Sequence, residues 1–208
     1  MIILNLLTGT AGTGVSVTND GESLISIGIE GGIRQSETIF KMIDDAFTYI
    51  DLDMKDIDAI SILNGPGSFT GLRVGMAAAK AISYSLKKPI IPVDTLKAII
   101  AESYTENACA MIDARRDRVY FSDGKIESAV YEISDLPDGQ GRLVFGEGLL
   151  KYKDKLEAKG YKLGVDKDIY LSVNGLARAS LDVDEKDYED YMSSTLNYLK
   201  TKEEIVSK

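Results

Sequence analysis

Apolar and polar residues alternate along three short segments at the start of the chain. These segments are residues 2–8, 14–18 and 24–29, and turns rich in Gly, Thr and Asn separate them. A period of two is typical of strands that bury one face, and short turns join antiparallel neighbours. The pattern therefore predicts a three-stranded antiparallel meander.

The spacing of apolar residues then changes to that of a helix. Ser36 is a candidate N-cap, and a stripe at helical spacing follows it, formed by Phe40, Ile43, Phe47 and Ile50. We expect a helix to about residue 51 with this stripe on the sheet. Ile39 and Met42 would then lie toward one edge of the helix, where they are candidates for a partner interface.

Strands and helices alternate in the remainder of the first half. Strands are predicted over residues 59–63 and 89–93, and helices over residues 68–84 and from residue 94. Helices that cross over between neighbouring strands are what parallel pairing requires. The order βββαβαβα therefore predicts a mixed sheet covered by helices.

A second set of elements begins after a boundary near residues 104–107. Strands are predicted over residues 108–113 and 128–131 and from Val119, with a charged turn over 113–118 and a hairpin signal at Asp123-Gly124. The later pattern is weaker, with candidate strands at 143–145 and 169–171 and candidate helices at 149–158 and 173–180. Because both halves open with a meander, we predict two α/β lobes, residues 1–103 and a smaller 104–208.

One glycine-rich stretch stands between the strand at 59–63 and the helix after it. It reads Gly65-Pro66-Gly67-Ser68-Phe69-Thr70-Gly71-Leu72-Arg73-Val74-Gly75, with Ser68 as the candidate N-cap. One face of the helix carries almost no side chain, and its residues are Gly71, Gly75, Ala78, Ala79 and Ile82. Glycine inside a helix costs about 0.5–1 kcal/mol relative to alanine, so the face needs a reason. Close packing on the chain's own sheet is one explanation, and contact with another chain or a ligand is the other.

Composition and charge exclude several functions. The chain has 208 residues, a formal net charge of −9 at pH 7 and no histidine. An acidic chain is not expected to hold nucleic acid alone, so tRNA or any other nucleic acid would need a partner. The lack of histidine excludes Ser-His-Asp and Cys-His catalysis and histidine metal sites. We expect no metal, no cofactor and no catalytic residue.

The chain also lacks signals that direct a protein to or across a membrane. No stretch is apolar for long enough to span a bilayer, and the first residues have no basic region and no small-residue cleavage site. The single cysteine, Cys109, lies in an apolar run and is expected to be a buried small hydrophobe. A cytoplasmic location is the expectation.

The glycine stretch with the residues before it, 62–75, closely resembles the signature of the TsaB (YeaZ) family of tRNA threonylcarbamoyladenosine modification. Segments 35–37, 89–96, 113–120 and 198–200 are also similar to that family. The resemblance implies the two-lobed fold of the actin, hexokinase and heat-shock-protein (ASKHA) superfamily, with βββαβα lobes and here a reduced second lobe. It covers chiefly the first 120 residues.

This resemblance implies a non-catalytic scaffold that pairs with TsaD. The pair, helped by the ATPase TsaE, would transfer a threonylcarbamoyl group to the adenosine beside the anticodon of tRNA. TsaB proteins would meet TsaD, or another copy of themselves, through the first-lobe helices. The expected interface therefore combines the two edge residues with the small-residue face: Ile39, Met42, Gly71, Gly75, Ala78, Ala79 and Ile82.

Two other function classes compete with the scaffold. An ATPase or kinase would use a loop site at Thr8, Gly65, Gly67 and Ser68. The stretch lacks the Lys-Ser/Thr ending of a P-loop, and Leu7 stands where the superfamily usually has a metal-binding aspartate. Gln35 replaces the histidine often found before Ser-Glu in the family. A peptidase would need a base to activate Ser68, and without histidine that function is nearly excluded.

Overall fold

Two five-stranded sheets form the framework of the protein. The structure is a computed structural model that describes residues 1–31, 35–164 and 171–197. The strands of the first sheet are β1 (Ile2–Leu7), β2 (Gly12–Asn19), β3 (Glu22–Glu30), β4 (Ala59–Gly65) and β5 (Ile90–Asp94). β1, β2 and β3 pair antiparallel, while β4 pairs parallel with both β1 and β5. The meander and the mixed sheet predicted from the sequence are confirmed.

The second sheet repeats the arrangement of the first. Its strands are β6 (Cys109–Arg115), β7 (Arg118–Ser122), β8 (Ala129–Glu132), β9 (Leu143–Gly146) and β10 (Lys162–Leu163). The order is β3-β2-β1-β4-β5 in one sheet and, read from the same end, β8-β7-β6-β9-β10 in the other. This duplication confirms the two-lobed α/β fold of the ASKHA type. The short strand β10 was not predicted, and most of the candidate strand at 169–171 lies outside the described residues.

The described helices cover both faces of these sheets. They are α1 (Gln35–Tyr49), α2 (Phe69–Leu86), α3 (Thr95–Ser103), α4 (Lys153–Ala158) and α5 (Val173–Ser180). α1 and α2 pack on one face of the first sheet, through residues such as Ile43 and Ala79 against Leu6. α3 and α5 share a core with both sheets, because Leu96 and Leu176 cluster with Leu7 and Phe145. None of the described helices is long and apolar enough to cross a membrane.

Helix α1 begins and ends close to its predicted bounds, but it turns a different face to the sheet. Its buried residues are Ile39, Met42, Ile43 and Ala46. Phe40 is 50% exposed, and Phe47 and Ile50 are only partly buried. The predicted face was therefore right for Ile43 and wrong for Phe40, and Ile39 and Met42 belong to the core instead of the edge. The apolar arc of the helix is wider than its contact with the sheet, so spacing alone does not define the buried part.

The last described residues return to the first lobe. Glu189 exchanges two backbone hydrogen bonds with Ile90 at the start of β5, with N···O distances of 2.7 and 2.9 Å. The Asn197 N–H donates to the carbonyl oxygen of Asn64 at the end of β4, at 2.8 Å. α5 also lies on the first sheet, although it follows the second sheet in the chain. The division of the chain at residues 103 and 104 stays a prediction.

Candidate functional site

The glycine stretch lies against the turn between β1 and β2. Ser68 caps α2, because its Oγ accepts a hydrogen bond from the Gly71 N–H at 3.3 Å; this confirms the predicted N-cap. The Ser68 N–H donates to the carbonyl oxygen of Gly9 at 2.7 Å. Ser68, at the end of the loop before α2, is therefore bonded both to its own helix and to the β1–β2 turn.

Three glycines let these two backbones approach each other closely. A Cβ on Gly67 would lie 2.5 Å from the carbonyl oxygen of Gly9, and one on Gly71 would lie 2.6 Å from Gly9 N. A Cβ on Gly75 would overlap the hydroxyl oxygen of Thr8. Real Cβ atoms do not come this near to other atoms. The small-residue face of α2 therefore serves close packing inside the chain.

Gly65 has a different role in the same junction. Its φ of +125° lies in a region that side chains rarely adopt, and a Cβ there would be 2.5 Å from the carbonyl oxygen of Asn197. Glycine satisfies both requirements. The loop is thus closed on one side by the β1–β2 turn and on another by the backbone at Asn197.

Gln35, the first residue of α1, also holds the β1–β2 turn, and its side chain lies beside Gly71. Its Nε2 donates to the carbonyl oxygens of Thr10 and Gly12, at 3.1 and 3.2 Å. No role was predicted for this residue beyond its position in the family resemblance. A side-chain amide that bonds to distant backbone groups leaves no pattern in the local sequence. A glutamine suits the position because its amide N–H groups can reach two carbonyls at once.

The groups in this junction are poorly suited to phosphate or metal chemistry. Thr8 and Leu7 are both 2% exposed, and Leu7 belongs to the apolar core. The Ser68 N–H, a possible phosphate donor, is already bonded to Gly9. Among the residues that the structure describes, no group of three or more His, Cys, Asp or Glu side chains could hold a metal ion.

Most residues expected at a partner interface lie inside the chain. Ile39 and Ala79 are fully buried, and Met42 and Ala78 are 3% and 2% exposed. Gly71 and Gly75 are buried against the β1–β2 turn. These six positions are not accessible to another protein in this structure. Ile82, at 8% exposed, is the one that reaches an open surface.

That surface is an apolar groove between α1 and α2, which we call the helix groove. It has a volume of about 270 Å³ and is lined by Phe40, Ile43, Asp44, Met54, Ala81, Ile82, Ser85 and Leu86. Phe40 keeps half of its surface exposed. Exposed apolar surface of this kind is characteristic of interaction sites. The apolar residues on both flanks of α1 were the sequence signal for this groove. The predicted interface, however, was on the wrong side of the helix.

Exposed aromatic side chains also occur on α2, outside the lining of the groove. Phe69 and Tyr84 are 54% and 58% exposed. The Arg73 guanidinium lies 3.6 Å from the centre of the Phe69 ring, and the Lys87 ammonium lies 4.2 Å from that of Tyr84. On the α1 side, by contrast, the exposed residues Asp44 and Asp45 carry negative charge. An apolar centre with charged flanks is the usual composition of a protein interface.

Comparisons with known proteins find a family model and several relatives that this chain resembles. The family model for TsaD, tRNA N6-adenosine threonylcarbamoyltransferase, matches residues 32–172. The tRNA threonylcarbamoyladenosine biosynthesis protein TsaB of Haemophilus influenzae is 33% identical over 126 residues, which are 59% of this chain and 53% of that protein. The TsaB of Escherichia coli is 32% identical over 59% of this chain and 54% of its own length. The chain thus spans about half the length of these relatives.

A solved structure shows the same fold over nearly the whole chain. YeaZ from Pseudomonas aeruginosa superposes with a TM-score of 0.80 and covers 95% of this chain and 99% of its own. The two sequences are 21% identical, so the likeness concerns the fold. Together with the TsaB relatives, it confirms the resemblance that the glycine stretch predicted.

Proposed function

We propose that this chain, which belongs to the family that the TsaD model describes, is a non-catalytic scaffold in tRNA threonylcarbamoyladenosine biosynthesis. TsaB (YeaZ) proteins are among its relatives. Its partner in this proposal is a TsaD-like protein, which carries the chemistry. A TsaE-like ATPase joins the larger complex, and tRNA is held mainly by the partner. When the partner is absent, two copies of this chain associate through the same surface.

The observation that carries the proposal is the helix groove. It exposes apolar area on helices whose opposite faces are buried in the first lobe, so it is a surface on a rigid support. Burial of such area is the main favourable contribution to protein association. The acidic residues beside it, Asp44 and Asp45, favour a partner with basic residues around an apolar centre.

The composition of the glycine junction supports the absence of catalysis. Leu7 is part of the core and cannot bind a magnesium-coordinated water. Ser68 has no histidine to activate it anywhere in the sequence. The glycines are explained by packing against Gly9 and Thr8, which leaves no unexplained feature that a nucleotide would account for.

Ala81→Arg tests the helix groove as the partner contact. Ala81 is exposed and lines the groove, so arginine should leave folding intact and obstruct the partner. Ala158→Arg, at an exposed position on α4 in the other lobe, is the matched control. We expect circular dichroism melting to be alike for both variants, and analytical ultracentrifugation with the TsaD-like protein to show association for Ala158→Arg alone. Wild-type association by Ala81→Arg would place the contact elsewhere.

The absence of catalysis has a separate test. We expect the purified chain to hydrolyse neither ATP nor peptides above the background of a mock purification. A steady ATPase rate that survives repurification and disappears on Thr8→Ala would contradict the scaffold proposal, because a contaminating enzyme would not respond to a substitution in this chain.

A further inference from the structure

The β6–β7 hairpin carries positive charge in an acidic protein. Its sequence from Asp113 is Asp-Ala-Arg-Arg-Asp-Arg, and three consecutive residues have left-handed backbone: Arg115 (φ 64°), Arg116 (54°) and Asp117 (58°). Side chains adopt this conformation at a cost, and runs of it need support from their surroundings. Arg115, Arg116 and Asp117 are all exposed.

The two acidic residues of the hairpin are already neutralised. Asp113 accepts hydrogen bonds from Lys151 Nζ at 2.9 Å and from the Tyr152 hydroxyl at 3.0 Å. Partial burial acts to raise its pKa, but these bonds and that from the Arg115 N–H outweigh the burial and lower it. Asp117 pairs with Lys155 Nζ at 3.3 Å. Neither carboxylate is left to compensate an arginine.

The arginines themselves have no counter-ion within the described part of the chain. No ion pair or side-chain hydrogen bond joins Arg115, Arg116 or Arg118 to another described residue. Arg115 and Arg118 also face each other across the β6–β7 pair, and like charges directly opposite are destabilising. Glu132 lies opposite Arg118 on the other neighbouring strand without an ion pair to it. An anion beside the hairpin would relieve this repulsion.

We propose that the β6–β7 hairpin contacts the phosphate backbone of tRNA through Arg115 and Arg116, as an auxiliary contact within the complex. The guanidinium group suits this role because its fork of N–H donors matches phosphate oxygens. The proposal rests on the proposed function, which brings tRNA to the assembly through the partner. With a net charge of −9, the chain alone would bind RNA weakly, so the contact belongs to the assembled complex.

The test compares tRNA binding by the complex of this chain with its TsaD-like partner. Variant complexes carry Arg115→Gln with Arg116→Gln, or Lys125→Gln with Lys162→Gln as the control. Lys125 and Lys162 are exposed and lie at the opposite end of the same sheet, so both variants remove two charges. Binding of a tRNA transcript is followed by fluorescence anisotropy between low and high KCl, and assembly by ultracentrifugation.

We expect the arginine variant to assemble normally and to reduce the slope of log K against log salt concentration by about one for each lost contact. The control should keep the wild-type slope. Equal slopes for wild type and both variants, or equal losses in both variants, overturn the proposal. Normal RNA binding with weakened assembly overturns it too, because the hairpin would then contact a protein. If wild-type proteins form no complex, the proposed function fails first, and the ultracentrifuge separates that result from the others.

Discussion

The substitutions that the glycines of α2 can tolerate depend on the individual atoms that an added Cβ would meet. A Cβ on Gly71 would lie 2.5 Å from the side-chain oxygen of Gln35, and 2.6 and 2.7 Å from the backbone atoms N and Cα of Gly9. Backbone in a tight turn cannot move aside without disturbing its hydrogen bonds. We therefore expect Gly71→Ala to lower the free energy of unfolding by about 1–3 kcal/mol, the usual cost of overpacking, when measured by chemical denaturation. Unchanged stability would show that the turn adapts.

Gly75 differs because the atom it meets belongs to a side chain, Thr8 Oγ1. Gly75→Ala should also destabilise, but part of the loss should be recovered when Thr8→Ala removes that oxygen. A double-mutant cycle measures this coupling. Thr8→Ala should give no such recovery to Gly71→Ala, because the atoms that obstruct a Cβ there belong to Gly9 and Gln35 and not to Thr8. Additive losses in the cycle of Thr8 and Gly75 would contradict the contact.

Asp94 gives the molecule one pH-dependent contribution to stability. It caps α3 by accepting from the Leu96 and Lys97 N–H groups, at 2.8 and 3.1 Å. Burial nevertheless raises the pKa of the carboxyl above its ordinary 3.8. The folded state therefore holds this proton more tightly than the unfolded state, and stability is lost as pH rises from 3.8 through the raised value.

Asp94→Asn should keep the cap and remove that loss, because asparagine is an equally good N-cap. We expect an unfolding temperature at pH 7 that is higher than that of wild type by a few degrees. The difference should shrink as the pH falls below the raised pKa. A lower unfolding temperature for Asp94→Asn at pH 7 would show that the charge favours the folded state.

At the level of elements, α1 shows how far a hydrophobic pattern can be read. Its position was predicted, since a period of 3.6 identifies a helix well. Its buried face was not, because Ile39 and Phe40 are adjacent apolar residues that end in opposite environments, one fully buried and the other half exposed. The apolar arc of a helix that faces both its sheet and a groove is wider than the contact with the sheet, so the pattern does not show which part of the arc is buried. Only tertiary contacts distinguish the two.

This arrangement makes a direct prediction for α1. Ile39→Ala should lower the free energy of unfolding by about 2–5 kcal/mol, as buried Ile→Ala changes do. Phe40→Ala should change stability much less, yet weaken association with the TsaD-like partner. Denaturant unfolding and ultracentrifugation of both variants distinguish these effects. A larger stability loss for Phe40→Ala than for Ile39→Ala would reverse the assignment of the faces.

The glycine stretch likewise combines features that follow from the local sequence with contacts that depend on distant residues. The cap at Ser68 and the small face of α2 follow from the order of residues, and both were predicted. The partners of that face, Gly9 and Thr8, are some sixty residues away in the chain, and nothing in the local spacing names them. The same limit applies to Gln35, whose acceptors are carbonyl groups of a distant turn.

Over the whole molecule, the two sheets have the same strand order, but the helices that cover them differ. The first sheet is covered by the long helices α1 and α2, whereas the second has the six-residue α4 on its outer face. The weaker sequence pattern in the later part of the second half reflects these short elements, since a strand of two residues such as β10 is too short to show a period. The helix groove lies on the first lobe, and the β6–β7 hairpin lies on the second.

The end of the described chain ties this architecture together. Leu196 packs against the apolar cluster that α3 and α5 share with both sheets and against the cluster under α1 and α2. It lies between the β-bridge at Glu189 and the hydrogen bond from Asn197 to Asn64. Leu196→Ala should therefore lower the free energy of unfolding by about 2 kcal/mol, the low end for leucine truncations because the side chain is only partly buried. Met192→Ala, 75% exposed in the same segment, is the control and should leave stability within about 0.5 kcal/mol of wild type. Equal unfolding midpoints for the two variants would mean that this segment lies on the first lobe without stabilising it.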